Sequence, residues 1–329
     1  MAIRIFPDRI QIGSFNLFEG GGGIQFDGVA MADNFYGNQG FQGTVAGFAA
    51  GGYVPGTGSV NTIDKFPFAT DTNASDHGDL PGIRTSSGTT GQSSSTHGYQ
   101  CGGISPGNTQ FNTIFKYPFS ASSGSSDIGD LLITFWGPTG HSSGISGYVS
   151  ATYTGGYLNN INKFPFATDT NATDVGDLVT GTYLPGGQSS ATHGYTSGGQ
   201  APATPRSGLV SKFSFVSDAN ATDASTLTQA RMRVAGQSSI SYGYNSGGDT
   251  VNTIDRFPFS ADTNATDVGD LTVARGYVSG QTSTVSGYTS GGFPPTTNTI
   301  DKFPFSADSN ATDVGDLSQA RNGPTGTQD

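Results

Sequence analysis

The stretch that decides the fold lies near the end of the chain. It reads Gly291-Gly292, then Asn298-Thr-Ile-Asp-Lys-Phe-Pro-Phe305, then Asn310-Ala-Thr-Asp-Val-Gly-Asp-Leu317, then Ala320-Arg321. Read back toward the start, the phrase recurs until it has been counted six times. Diglycines begin at Gly51, Gly102, Gly155, Gly198, Gly247 and Gly291, in steps of 51, 53, 43, 49 and 44 residues. The aromatic-Pro-Phe element begins at Phe66, Tyr117, Phe164, Phe213, Phe257 and Phe303, with Ser214 in place of proline in the fourth unit. A self-similar period in the forties marks a propeller or an array of small sheets.

Composition agrees. Glycine is 51 of 329 residues and charged residues are 12%, about half the usual ~25%. Glu19 is the only glutamate, so good helix formers are scarce, while Gly, Ser, Thr, Asn, Tyr and Phe supply turns and strands. The net charge of −11, without a Lys/Arg cluster, argues against nucleic-acid binding. The single Cys101 excludes an intramolecular disulfide framework and a cysteine-based zinc site. No apolar run approaches membrane-spanning length, and Met1–Asp8 has no signal-peptide core, so synthesis and retention in a cytosol is the expectation.

Residues 1–42 stand outside the repeat. Ile3, Ile5, Ile10 and Ile12 alternate with Arg4, Arg9 and Gln11, the period of a strand or two broken at Pro7. So short a segment cannot bury a core alone. It reads as an extended β arm for anchoring, with Ile3, Ile5, Ile10, Ile12, Phe15 and Phe18 as its contacts to other subunits.

From residue 43 each unit holds four short extended pieces: a small polar one, one ending at the diglycine, the Asn-Thr-Ile-Asp-Lys-Phe-Pro-Phe piece, and one around Gly-Asp-Leu. The first suits the crowded axis of a ring. In the third, Ile63, Lys65 and Pro67 alternate with Asp64, Phe66 and Phe68, which suits a blade sandwiched between two others. The chain ends as a unit begins, and residues 43–52 match a second piece. Residues 323–328 are therefore expected to supply the innermost strand of blade one and close a six-bladed ring over 43–329, removing an exposed sheet edge.

The diglycine after an aromatic-containing strand, the later aromatic and the closing Ala-Arg resemble the kelch repeat of galactose-oxidase-type propellers. The late kelch tryptophan is missing, replaced by Val-Gly-Asp-Leu, and Trp136 is the only tryptophan. The wording of the repeats also resembles repeat proteins of marine bacteriophages, particularly phages of cyanobacteria. That resemblance implies a virion structural or fibre-like protein, part of a homo-oligomeric assembly, whose arm binds other virion proteins and whose propeller binds proteins or a host-surface glycan. Propellers carry many functions, so the site must decide.

Four loops have oxygen ligands at positions 1, 3, 5 and 9: Asp169/Asn171/Thr173/Asp177, Asp262/Asn264/Thr266/Asp270, Asp308/Asn310/Thr312/Asp316 and Asp71/Asn73/Ser75/Asp79. The spacing resembles calcium loops of integrin-type propellers, so calcium is the one cofactor raised, and none is required. A hydrogen-bonded hairpin is the competing reading, since position 6 is Asp rather than Gly. The Asn-Ala-Ser/Thr triplets read as turns in which Asn bonds its own backbone. Lys65, Lys116, Lys163, Lys212, Arg256 and Lys302 occur in every unit, and Arg84, Arg231, Arg275 and Arg321 in four. Residues repeated in every blade serve the blade, so both sets should pair with Asp of the adjacent strand or blade. No cysteine–tyrosine–histidine copper set, paired glutamates or sialidase box occurs, and Gly140-His-Ser-Ser-Gly144 lacks the helix of a nucleophile elbow, so no catalytic residue is assigned. The departures from the repeat are Ser105–Phe111, Ile133–Tyr148 and Gln200–Leu209. Phe135 and Trp136 there are the binding candidates, with a core plug in place of the usual Arg as the alternative.

Overall fold

The computed structural model describes residues 42–329 other than 85–88 and 106, with 89–90 described by backbone alone, together with the backbone of five short strands between residues 3 and 31. The chain divides into two units, Met1–Gln39 and Gly40–Asp329. In the first, Ile3–Phe6, Arg9–Ile12, Phe15–Phe18, Ile24–Phe26 and Val29–Met31 form an antiparallel meander in sequence order. The register sets Ile3 opposite Ile12, Ile5 opposite Ile10, Phe15 opposite Ile12 and Phe18 opposite Arg9. The side chains of Ile3, Ile5, Ile10, Ile12, Phe15 and Phe18 lie outside the described residues.

The second unit is a six-bladed β-propeller, and no helix occurs among the described residues. Blade 6 shows the plan: an inner strand Ser279–Thr282, a second Ser286–Ser290, a third Thr299–Pro304 and an outer Thr312–Asp316, each antiparallel to the next. Blades 2 to 5 repeat it between Gln92 and Asp270. Blade 1 takes its inner strand from the end of the chain. Thr325–Gln328 pairs antiparallel with Ala46–Ala50, so the ring closes as the chain ends predicted. The proline of each Phe-Pro element is the last residue of a third strand, where its missing N–H does least harm to the ladder.

The diglycine assignment needs one correction. In blade 3 the pair Gly155-Gly156 is the tip of the hairpin joining Ser146–Tyr153 to Tyr157–Pro165. The residue matching the first diglycine position is Ala151, which takes the same left-handed backbone (φ 62°) as Gly291 (φ 65°). The uneven steps of 53 and 43 residues around this blade carried that signal.

The hydrophobic core is divided among the six blade interfaces. One cluster joins Ile63 of blade 1 to Phe115 and Tyr117 of blade 2, and another joins Ala49 and Phe66 of blade 1 to Tyr288, Ile300 and Leu317 of blade 6. Ile63 and Phe66 thus face opposite neighbours, as the alternation predicts. At each interface a second-strand aromatic stacks on the final Phe of the next blade's third strand. Tyr148 meets Phe215 at 4.6 Å, Tyr288 meets Phe68 at 4.8 Å, and Phe48 meets Phe119 at 4.7 Å. The glycine before each such aromatic is required by close approach. A Cβ on Gly287 would come within 2.3 Å of the Phe303 ring lying across it.

Around the axis the inner strands are tied by a closed cycle of hydrogen bonds. Ser93 N–H donates to Ser142 Oγ, Ser142 N–H to Ser189 Oγ, Ser189 N–H to Ser238 Oγ and Ser238 N–H to Thr282 Oγ1. Thr282 N–H then donates to Gln328 Oε1, and Gln328 N–H to Ser93 Oγ. Next to these residues Gln92, Gln188, Gln237 and Gln281 each donate to a second-strand carbonyl of the following blade. The Gly-Gln-Ser-Ser phrase is therefore axial wiring.

Candidate functional site on the loop face

The two ends of the strands differ. One end, the turn face, carries the inner-to-second-strand turns and the loops leading to the outer strands. The other, the loop face, carries the second-to-third-strand hairpins and the links between blades.

The charged residues repeated in every unit join blades near the turn face. Lys116 pairs with Asp169, Lys163 with Asp218, Lys212 with Asp262, Arg256 with Asp308 and Lys302 with Asp71, each bridging to the next blade. Blade 2 lacks the aspartate, and Lys65 donates to the Phe119 carbonyl instead. In four of these pairs the aspartate (Asp169, Asp262, Asp308 and Asp71) is the first residue of a proposed calcium run, so an ammonium or guanidinium already faces it. The third residue is also engaged. Asn171 Oδ1 accepts from Asp130 N–H of the preceding blade, Asn310 Oδ1 from Asp270 N–H and Asn73 Oδ1 from Asp316 N–H. These asparagines cap a neighbouring blade, whereas a bond to their own backbone was expected. Thr173, Thr266 and Thr312 open outer strands opposite Lys163, Arg256 and Lys302. Asp177 pairs through its backbone with blade 4 while Asp169 and Asn171 turn to blade 2, so each run is divided between two interfaces. Asn264 stands before Ala265, whose N–H donates to the Thr226 carbonyl of blade 4. Among the described residues no three or more His, Cys, Asp or Glu come together as a metal group.

The second set is buried. Arg321 pairs with Asp64, Arg275 with Asp301 and Arg231 with Asp255, all in the next blade and all at most 1% exposed. Where the aspartate is missing, the junction is built in another way. Blade 3 has Asn162 at the aspartate position, and the arginine position holds Phe135, which is fully buried. Phe135 is thus the core plug and is out of reach of any ligand. Arg84 meets Phe115 in place of an aspartate, and its guanidinium lies 3.4 Å from the centroid of Phe111.

Gly140–Gly144 is the inner strand and turn of blade 3, with Ser142 Oγ accepting from Ser93 N–H. Cys101 is buried against Gln92 Oε1, and burial pushes its thiol pKa up, the reverse of an activated nucleophile.

What remains is on the loop face. Trp136, unlike Phe135, is partly exposed and packs at 5.1 Å on Tyr183. Tyr153 lies 5.2 Å from Tyr183 and 5.2 Å from Tyr157. Tyr277 joins the same cluster with Leu184 and Met232 beneath, and the Arg233 guanidinium stands 4.5 Å from the Tyr277 ring. Burial is the largest influence pushing the Tyr183 phenol pKa upward, so it stays a neutral hydrogen-bonding group. Arg233 and Arg206 both reach Asp249. Apart from Trp136, these residues escaped the sequence reading. The cluster comes from one hairpin of blade 3 and from the links that follow blades 2, 3, 4 and 5, and no spacing announces it.

No family model matches the chain, and no curated protein matches it.

Proposed function

We propose that the chain is a non-enzymatic attachment and structural component of a bacteriophage virion, a kelch-like propeller held through its N-terminal segment and presenting its loop face outward. The supporting observation is the opposition of the two faces. The chain enters the propeller at the axis of the turn face, where Gly43 N–H donates to the Thr282 carbonyl and Gln42 Nε2 to the Ser238 carbonyl. Around that point Val45, Ile145, Ile240 and Val285 are 53–77% exposed, an apolar ring suited to docking on another protein. The opposite face carries the non-repeated hairpins and the aromatic cluster, and recognition is built from what differs between blades. The repeated polar residues are spent on interblade contacts, which supports a rigid carrier over a catalyst or a calcium module.

Immunogold electron microscopy on purified particles tests this reading. Gold at a fibre or tail tip is the expected result. Gold at the neck or capsid would make the propeller a scaffold, and particles without gold would remove the virion reading.

A further inference from the structure

Building on the attachment reading, we infer that the aromatic cluster of the loop face is a carbohydrate-binding site for pyranose-containing glycans. The first ground is backbone strain. Leu184, Arg233 and Tyr277 hold left-handed backbones (φ 56°, 63° and 53°) at a position where other blades have Gly137 (φ 66°) and Gly323 (φ 65°). The position belongs to a chain of hydrogen bonds at this face: Leu184 N–H donates to the Gly137 carbonyl, Arg233 N–H to Leu184, Tyr277 N–H to Arg233 and Gly323 N–H to Tyr277. Any L side chain there is disfavoured by about 1 kcal/mol or more, and glycine would serve the backbone. The geometry makes side chains at Arg233 and Tyr277 costly for the fold, which points to a use for them beyond it.

The second ground is chemistry. Trp136, Tyr153, Tyr157 and Tyr277 are each partly exposed, so ring surface reaches solvent in one patch. Beside it lie phenol hydroxyls and the partly exposed Arg233 guanidinium, which meets Asp249 at 3.5 Å and has further N–H donors. A pyranose has one face of C–H bonds and a rim of hydroxyls. The rings take the face, and the phenols and guanidinium take the rim. A protein partner would want a broad apolar centre. The hairpin tip here is instead Thr154-Gly155-Gly156, exposed and without apolar bulk.

Trp136 is the only tryptophan, so its fluorescence reports the site directly. The full-length chain, fluorescently labelled, is applied to an array of bacterial polysaccharides and lipopolysaccharide-derived oligosaccharides. Hits are then titrated against the unlabelled protein by tryptophan emission. The expected result is a saturable emission change with at least one glycan. Tyr277→Gly and Arg233→Gly should weaken it about tenfold or more, with the relief of backbone strain offsetting part of the lost packing so that the fold is kept. Tyr183→Phe, which keeps the packing, should weaken it less. A purely structural cluster would give the opposite pattern: no glycan would separate folded Tyr277→Gly from the native chain. That outcome overturns the assignment. A blank array with gold at the particle tip removes the glycan and leaves the attachment reading. A positive array with no gold on particles does the reverse.

Discussion

Arg275→Ala lowers the stability of the propeller by about 3–5 kcal/mol, measured by chemical denaturation, because it strands a buried carboxylate. Asp301 is fully buried and accepts from Thr272 N–H at 3.0 Å, from the Thr272 hydroxyl at 2.7 Å and from Arg275 at 2.9 Å. Arg275 in turn donates to the carbonyls of Gly291, Thr289 and Val273, so one side chain ties the end of blade 5 to two strands of blade 6. The charge itself is dispensable. Blade 3 manages the same junction with Phe135 and Asn162, where Asn162 Oδ1 accepts from Leu132 N–H at 3.2 Å. Arg275→Leu combined with Asp301→Asn should therefore recover most of the loss. If the double variant is no better than Arg275→Ala, the pair contributes through its charge after all, and the reading of blade 3 as an apolar equivalent is wrong.

The second large effect is an acid sensitivity traced to His141. This residue replaces the glutamine found at the same inner-strand position in four other blades. It is buried, with Nδ1 3.1 Å from the Gln188 carbonyl, Nε2 2.8 Å from Ser150 Oγ, and its ring edge-on to Phe213. Burial lowers its pKa to about 4. The folded state therefore holds it neutral while the unfolded chain takes a proton near pH 6.5. Below that value the unfolded state binds more protons, so stability is complete above pH 6.5 and falls as pH drops toward 4. The loss is roughly 3 kcal/mol at 1.36 kcal/mol per unit. His141→Gln restores the repeat residue and should remove that part of the decline. His97 and His193, also lowered mainly by burial, remain in both proteins, so the difference between the two stability curves isolates His141. Parallel curves between pH 7 and 4 would show that the folded protein accommodates the imidazolium.

Much of this architecture was legible because most interblade contacts are written in nearly every unit. The axial serines, the aromatic stacks and the Lys–Asp bridges recur in the same order in successive units, and the unfinished unit at the end of the chain announced the closing strand Thr325–Gln328. What repetition conceals is direction. The Asn of Asn-Ala-Thr could bond its own turn or a neighbour, and only the packing of blades sends Asn310 to Asp270. The loop-face site was hidden for the opposite reason. Tyr183 and Tyr277 have no tyrosine at the matching position of another blade, and the pair Tyr153 and Tyr157 flanks a hairpin tip that only blade 3 has. Phe135 and Trp136 are adjacent in sequence, yet one is a plug and the other part of the surface patch, a difference set by where the strand ends.

The central claim is that the turn face is held by the assembly and the loop face is free. Single-cysteine labelling tests it directly, since the native Cys101 is buried and will not react. Gly156→Cys, where an added Cβ meets nothing within 4 Å, marks the loop face, and Thr284→Cys in an exposed turn marks the other. Both should react with a bulky maleimide in the isolated protein. In assembled particles Gly156→Cys should remain reactive and Thr284→Cys should be protected. Protection of Gly156→Cys with free access to Thr284→Cys would contradict the account.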